Sequence, residues 1–405
     1  MSVASPIGLV LAGGGARGAY EVGILAGISE VLNMLPKDRP RFNVLAGTSV
    51  GAINAAFLAA NAHRGDYAIA DLVSVWKNLD VGSHLRLNLR GRAKKAGLSI
   101  PPGPGLFGKS FIDPRPLENL VRASIDWDRV HSNISRGAVS ALAVAAFNLG
   151  SGRTGIFVET APGVTFRPSA DPRRRARLEP ITAEHVLGSA AIPVLFPARK
   201  INGAYYCDGG VRFNTPISPA IRSGAKRLVV ISLQSDLRHP GAEPPPLRSY
   251  PSAALVFGKL LNALLLDPFQ YDLAVMRRFN QLVSVLEETL SAAEFQRVQD
   301  VIVETRGARY RKLGTLVFTP SQDVGLLAGE HLRSQGGGWP GMDTLPKFLL
   351  NRAAQSDATW EADWASYMLF DGTFASRLVE LGLRDALARA DDIHTFFSSE
   401  EPVQL

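Results

Sequence analysis

The sequence predicts an α/β fold built on a doubly wound, mainly parallel sheet, and three observations predict it. Ile7 to Ala12 is a short apolar run closed by glycines, as a strand buried on both faces is. Phe42 to Ala46 repeats the arrangement, and each run passes through a glycine turn into a stretch with helical apolar spacing. Strand, glycine turn, helix, twice in succession, is how such a sheet opens. Further strand-like runs then recur at Ala141 to Phe147, Gly155 to Glu159, Ala204 to Cys207, Arg227 to Leu233 and Gly314 to Phe318.

Taken in order, Ala16 to Met34 reads as the first helix, ending near Pro36, and Val50 to Ala62 as a buried second helix rich in Ala, Ile, Leu and Phe. Leu85 to Gly108 is basic and then rich in Pro and Gly, which reads as a loop or cap. Residues 161–180 read as an insertion rich in Arg and Pro. His239 to Pro251, with Pro244-Pro245-Pro246, is the clearest linker. Beyond it, Ser252 to Leu290 and Leu378 to Ala390 have helical spacing. The expected organisation is a catalytic unit over 1–235 and a mostly helical region over 236–405. Gly314 to Phe318 is expected to complete the same sheet.

The chain has 405 residues, 46% of them hydrophobic and 20% charged, which suits a globular protein with a large core. Its net charge of +7 favours partners that carry phosphate. No nucleic-acid module accompanies the basic residues, so lipid headgroups are the expected partner and nucleic acid is not. The single cysteine, Cys207, excludes an internal disulfide and reads as a small buried residue at a strand end. No charged segment precedes the first apolar run, and no stretch reaches the ~20 apolar residues of a spanning helix. The expectation is a cytoplasmic chain whose membrane association is peripheral.

The chemistry concentrates in three glycine-marked turns. In Gly47-Thr48-Ser49-Val50-Gly51 the glycines let a strand turn sharply into a helix, which holds the serine hydroxyl at the apex. The helix N-terminus lends free N–H groups to that spot. The plainer reading makes Ser49 a helix cap. A conventional triad would add a histidine, yet none of His63, His84, His131, His185, His239, His331 and His394 sits in a glycine-bounded strand-end turn.

Gly13-Gly14-Gly15-Ala16-Arg17-Gly18 fits Gly-x-Gly-x-x-Gly, the dinucleotide fingerprint, but no acidic residue ends the next strand. As an oxyanion cradle the loop makes better sense, since successive glycines expose N–H groups where negative charge develops. Arg17 adds a positive field or anchors the loop. Asp208, on the Gly209-Gly210 turn after Ala204 to Cys207, is then the available base for Ser49. For an isolated match, the Asp would be only a turn residue.

Together these turns resemble the patatin-like phospholipase family. The resemblance covers Gly13 to Gly18, Gly47 to Gly51, and the run from Asp208 through Gly209-Gly210-Val211 to Asn214-Thr215-Pro216. It includes Gly188-Ser189-Ala190-Ala191-Ile192-Pro193 with Phe196-Pro197. The four blocks lie in the family's order and span roughly residues 7–217.

The resemblance implies a three-layer α/β/α sandwich and a Ser49–Asp208 dyad, with the acyl group carried on Ser49 and the oxyanion held by the Gly13–Gly18 loop. It implies neither metal nor cofactor. The implied substrate is a phospholipid or other acyl-ester lipid, cleaved in the manner of a phospholipase A or lysophospholipase. Alternatives on the same dyad are a general carboxylesterase and an acyltransferase; a nucleotide-binding regulator is the alternative of a different class. Two segments offer contact with an anionic membrane: the basic loop Arg86 to Lys109, and Leu255 to Leu266, which otherwise reads as a core helix.

Overall fold

Five-residue runs without a polar face make the centre of the sheet. The computed structural model describes residues 6–34, 40–80, 113, 115–193, 195–235, 256, 268–306, 309–334 and 365–399. In it, β1 (Ile7–Leu11) and β2 (Val44–Thr48) are buried at every position. Strands covered on both faces have no use for polar alternation.

Among the described residues one sheet forms, in the order β5-β4-β3-β2-β1-β8-β9. Its remaining members are β3 (Ala141–Asn148), β4 (Thr154–Thr160), β5 (Arg174–Leu178), β8 (Arg227–Ile231) and β9 (Gly314–Phe318). A short hairpin of β6 (Arg199–Ile201) and β7 (Ala204–Asp208) joins it through β3. The central pairs β2–β1, β1–β8, β8–β9 and β2–β3 are parallel, as is β4–β5. β3 runs antiparallel to both β4 and β7.

Helices cover both faces. Successive residues of β1 point to opposite sides, Leu9 and Leu11 to one core and Val10 to the other. The first core packs α1 (Ala19–Val31), α2 (Val50–Ala60), α3 (Tyr67–Lys77) and the C-terminal helix Gly372–Leu387. The second packs Phe213 and the helices Ile217–Arg222 and Pro268–Thr289, through Ile217, Leu273 and Met276. The result is a three-layer α/β/α sandwich with a mainly parallel sheet, as the sequence predicts. Residues from beyond 236 enter both the sheet, as β9, and the first core, as the helix Gly372–Leu387.

The segment 161–180 is corrected: it is not only an insertion, because it contains β5, an edge strand paired with β4 from Thr154↔Arg174 to Val158↔Leu178. An edge strand half open to solvent tolerates Arg174, Arg175 and Arg177, which hid it from a hydrophobic pattern. The loop 85–108, the linker 239–251 and nearly all of 252–267, including the apolar stretch 255–266, lie outside the described residues. Among the described residues no helix is long and apolar enough to cross a membrane.

Candidate active site

The topology explains how a residue near position 49 meets one near 208. β4 occupies one edge of β3 along nearly its whole length. On the other edge, β2 runs parallel to β3 and stops at Thr48↔Ala145. β7 comes antiparallel along the same edge and stops at Asp208↔Ala146. The two strands therefore meet head to head, and Ser49 and Asp208 lie at the junction. Ser49 Oγ donates to Asp208 Oδ2 at 2.6 Å, and both side chains are buried.

The elbow forces Ser49 into an unusual conformation, φ 55 and ψ −125, between β2 and α2. Such a backbone costs about 1–3 kcal/mol for a residue other than glycine and persists only where its surroundings enforce it. They do so closely here: a Cβ on Gly47 would lie 2.2 Å from Gly51 O, and one on Gly51 would lie 2.4 Å from Leu11 O. Ser189, at the end of the helix Ala183–Ser189, completes the clamp. Its Oγ accepts from the Ser49 N–H at 2.8 Å and donates to Ala145 O at 2.6 Å.

Asp208 is held as firmly. Its N–H donates to Ala191 O at 2.9 Å, and Oδ1 accepts from Gly210 N–H at 2.7 Å. Burial pushes the carboxyl pKa up to about 7, against the hydrogen bonds from Ser49 and Gly210, which favour the anion. The neighbouring Cys207 is buried, and its thiol pKa is pushed up to about 12, first by burial and then by Asp208. Such a thiol is a poor nucleophile at neutral pH.

The glycine loop packs directly on the elbow. A Cβ on Gly13 would lie 3.0 Å from the Ser49 Cβ. Gly13 N–H is occupied, donating to the Asn214 side chain at 3.0 Å and to Asn214 O at 3.3 Å, while Asn214 Nδ2 returns a bond to Gly13 O at 3.2 Å. Gly14 and Gly15 come next; Gly15 has φ +58 and opens a single 3-10 turn over Gly15–Gly18. The first N–H groups of such a turn have no partner within it.

Arg17 is buried, its Nε donating to Ser366 Oγ at 2.7 Å and its guanidinium lying over the Tyr367 ring at 4.2 Å. It anchors the loop to a C-terminal segment whose part in the site has no signal in the sequence. Behind the loop, Asn54 Nδ2 donates to Glu21 Oε2 at 2.8 Å, and Trp76 Nε1 donates to Asn54 Oδ1 at 3.0 Å. Glu21 is fully buried, and burial raises its pKa well above the ordinary value, against the hydrogen bond from Asn54.

Four of the five described histidines are engaged elsewhere, His131 with Glu159, His185 with Thr182 and Glu179, His331 with Asp371, and His63 with Arg129, and His394 is exposed on the helix Ala390–Ser398. Sequence reasoning assigned no part to Ser189, Asn214 or Glu21. Ser189 and Asn214 stand within the recognisable blocks, but what they touch depends on long-range closure. Among the described residues no group of three or more His, Cys, Asp or Glu is placed to hold a metal.

A serine on a strand-to-helix elbow, at the carboxyl end of a parallel sheet in an α/β/α sandwich, is serine-hydrolase architecture. The sequence profile of the patatin-like phospholipases matches residues 9–221, more than half of the chain, and the chain belongs to that family. Its members are serine hydrolases that act on ester bonds of lipids. No curated protein matches the chain. Among solved structures it is similar to VipD from Legionella pneumophila, at 14% identity and a TM-score of 0.37 over 96% of this chain and 67% of that one.

Proposed function

We propose that Ser49 is the nucleophile and Asp208 the general base of a lipid acyl hydrolase of the phospholipase A or lysophospholipase type. The observation that carries this reading is the 2.6 Å hydrogen bond from Ser49 Oγ to a buried carboxylate. Ser49 Oγ attacks the ester carbonyl carbon as its proton passes to Asp208 Oδ2. The tetrahedral oxyanion is received by the N–H groups of Gly14 and Gly15 and by the N-terminus of α2. Its collapse breaks the ester C–O bond, and the alcohol leaves with the proton from Asp208. Asp208 then takes a proton from water, which attacks the acyl-Ser49 carbonyl. The fatty acid departs, and the proton returns to Ser49. The step uses neither metal nor cofactor.

Hydrolysis of a p-nitrophenyl acyl ester series by the wild type, Ser49→Ala and Asp208→Asn tests the dyad. Both variants should fold and lose about 10⁴-fold or more in turnover. An active Asp208→Asn would mean that another group serves Ser49. Phospholipid and lysophospholipid panels, with water or an added alcohol as acceptor, then separate the hydrolase from an esterase or an acyltransferase.

A further inference from the structure

On the sheet face opposite α1 and α2, a cavity of about 610 Å³ opens between the helices Ile217–Arg222 and Pro268–Thr289. That volume lies within the ~300–1,000 Å³ of small-molecule sites and far exceeds what one ion needs. Its apolar surface comes from Phe213, Ile217, Ile221, Met276, Phe279 and Leu313. Its charged surface is almost entirely guanidinium: Arg173, Arg174, Arg222, Arg309 and Arg311 line it. An adjoining hollow of about 470 Å³ shares the last three and adds Arg167. Against these six arginines the described residues of the two linings hold one carboxylate, Asp171, which leaves a charge of +5 among them.

The one carboxylate there is shared, Asp171 receiving both Arg173 and Arg174, whereas Arg41 elsewhere is matched by Asp66. The wall is also built in advance of any ligand. Arg222 Nη1 donates to Arg167 O at 2.9 Å and Pro168 O at 2.7 Å, and Arg311 Nη2 donates to Ile221 O at 3.2 Å. Arg174 lies 4.3 Å over the Phe213 ring, and Phe279 stacks on Tyr310 at 4.4 Å, so the apolar floor reaches the guanidinium wall. Burial and then repulsion from Arg167 lower the pKa of Arg311, a penalty that a bound anion would relieve.

We propose that this cavity binds an anionic amphiphile, a phosphate or carboxylate head on a single acyl chain, at a site separate from Ser49. The arginine wall takes the head in charge-assisted, bidentate hydrogen bonds. The apolar floor takes the first part of the chain. The class includes the fatty acid and lysophospholipid that the proposed reaction would release, but binding here does not depend on turnover.

Calorimetric titration of the full-length Ser49→Ala protein tests this, because it removes the proposed nucleophile and leaves the cavity whole. The probes are 1-oleoyl lysophosphatidate and oleate, both kept below their aggregation thresholds. The expected result is saturable binding of both and none of mono-oleoylglycerol. Adding Arg174→Gln and Arg309→Gln should weaken binding about 100-fold, about tenfold for each guanidinium removed, or about 1.4 kcal/mol each. Arg309→Glu alone, at an exposed position, should weaken it at least tenfold without risk to the fold. Unchanged affinity in either folded variant would overturn the proposal. So would equal binding of mono-oleoylglycerol, of inorganic phosphate or of ATP. Binding to anionic vesicles without binding to the monomers would also overturn it, because it would indicate a surface and not a cavity.

Discussion

Changing the pH acts on the proposed site through one group, Asp208. Its carboxyl is pushed up to about 7 by complete burial, with the bonds from Ser49 and Gly210 pulling only partly the other way. A general base must be ionised. Turnover should therefore follow the ionised fraction: about half of maximum at pH 7, about a tenth at pH 6 and about a hundredth at pH 5. An ordinary aspartate, titrating near 3.8, would leave activity flat across that range.

The same burial fixes the sign of a stability effect. Between 3.8 and about 7 the folded chain keeps a proton on Asp208 that the unfolded chain has released. The unfolded state binds fewer protons there, so stability falls as pH rises through the window. The full change is at most about 4 kcal/mol. Asp208→Asn keeps an acceptor for Gly210 N–H and carries no charge. It should be inactive, yet at pH 8 it should melt at or above the wild-type temperature. The assay is kcat/KM on a short p-nitrophenyl ester from pH 5 to 9, read where nitrophenol and nitrophenolate absorb equally, beside thermal melts of both proteins at pH 5 and 8. Half-maximal activity near pH 4, or a melting temperature for Asp208→Asn well below wild type at pH 8, would refute the reasoning.

Other substitutions probe the clamp and the loop. Ser189→Ala removes the acceptor of the strained Ser49 N–H; steady-state kinetics should show kcat down about tenfold with KM little changed, at a stability cost of about 1–3 kcal/mol in denaturant titrations. Gly15→Ala puts a methyl 2.2 Å from Tyr367 O at φ +58, so the loop must shift, and esterase activity should fall at least about 100-fold in protein that still melts cooperatively. Glu21→Gln keeps an acceptor for Asn54 and removes the charge that burial disfavours, so it should leave the melting temperature at pH 7 at or above wild type, whereas Glu21→Ala should lose about 2 kcal/mol or more.

The parts of the site that can be read from the sequence are those contiguous along the chain. The turns at Gly13–Gly18, Gly47–Gly51 and Asp208–Gly210 each carry their own glycines, and each follows a short run that reads as a strand. The contact between Ser49 and Asp208 has no such local marker. It depends on β2 ending at Ala145 and β7 ending at Ala146 on one edge of β3, a register set by pairing across the sheet. Asn214 reaching back to Gly13, and Ser366 to Arg17, are likewise products of closure. β5 escaped notice for a different reason: an edge strand that offers arginines to solvent and to the Phe213 ring carries no apolar periodicity.

In the proposed mechanism, burial also explains how a serine can be activated without an imidazole. Histidine suits a triad because its pKa lies near neutrality. An aspartate in water titrates about three units below neutrality and is the weaker base by that much. The head-to-head meeting of β2 and β7 takes Asp208 out of water altogether, at 0% exposure, and so raises its basicity to the range an imidazole would supply. Among the described residues two donors, Ser49 Oγ and Gly210 N–H, are given to the carboxylate. A third, or a nearby cation, would lower the pKa and weaken the base. Introducing Lys or Arg beside Asp208 should therefore shift the pH–rate profile to the acid side while lowering its plateau. A substitution that lowered the plateau without moving the profile would mean that basicity is not set by the environment of Asp208.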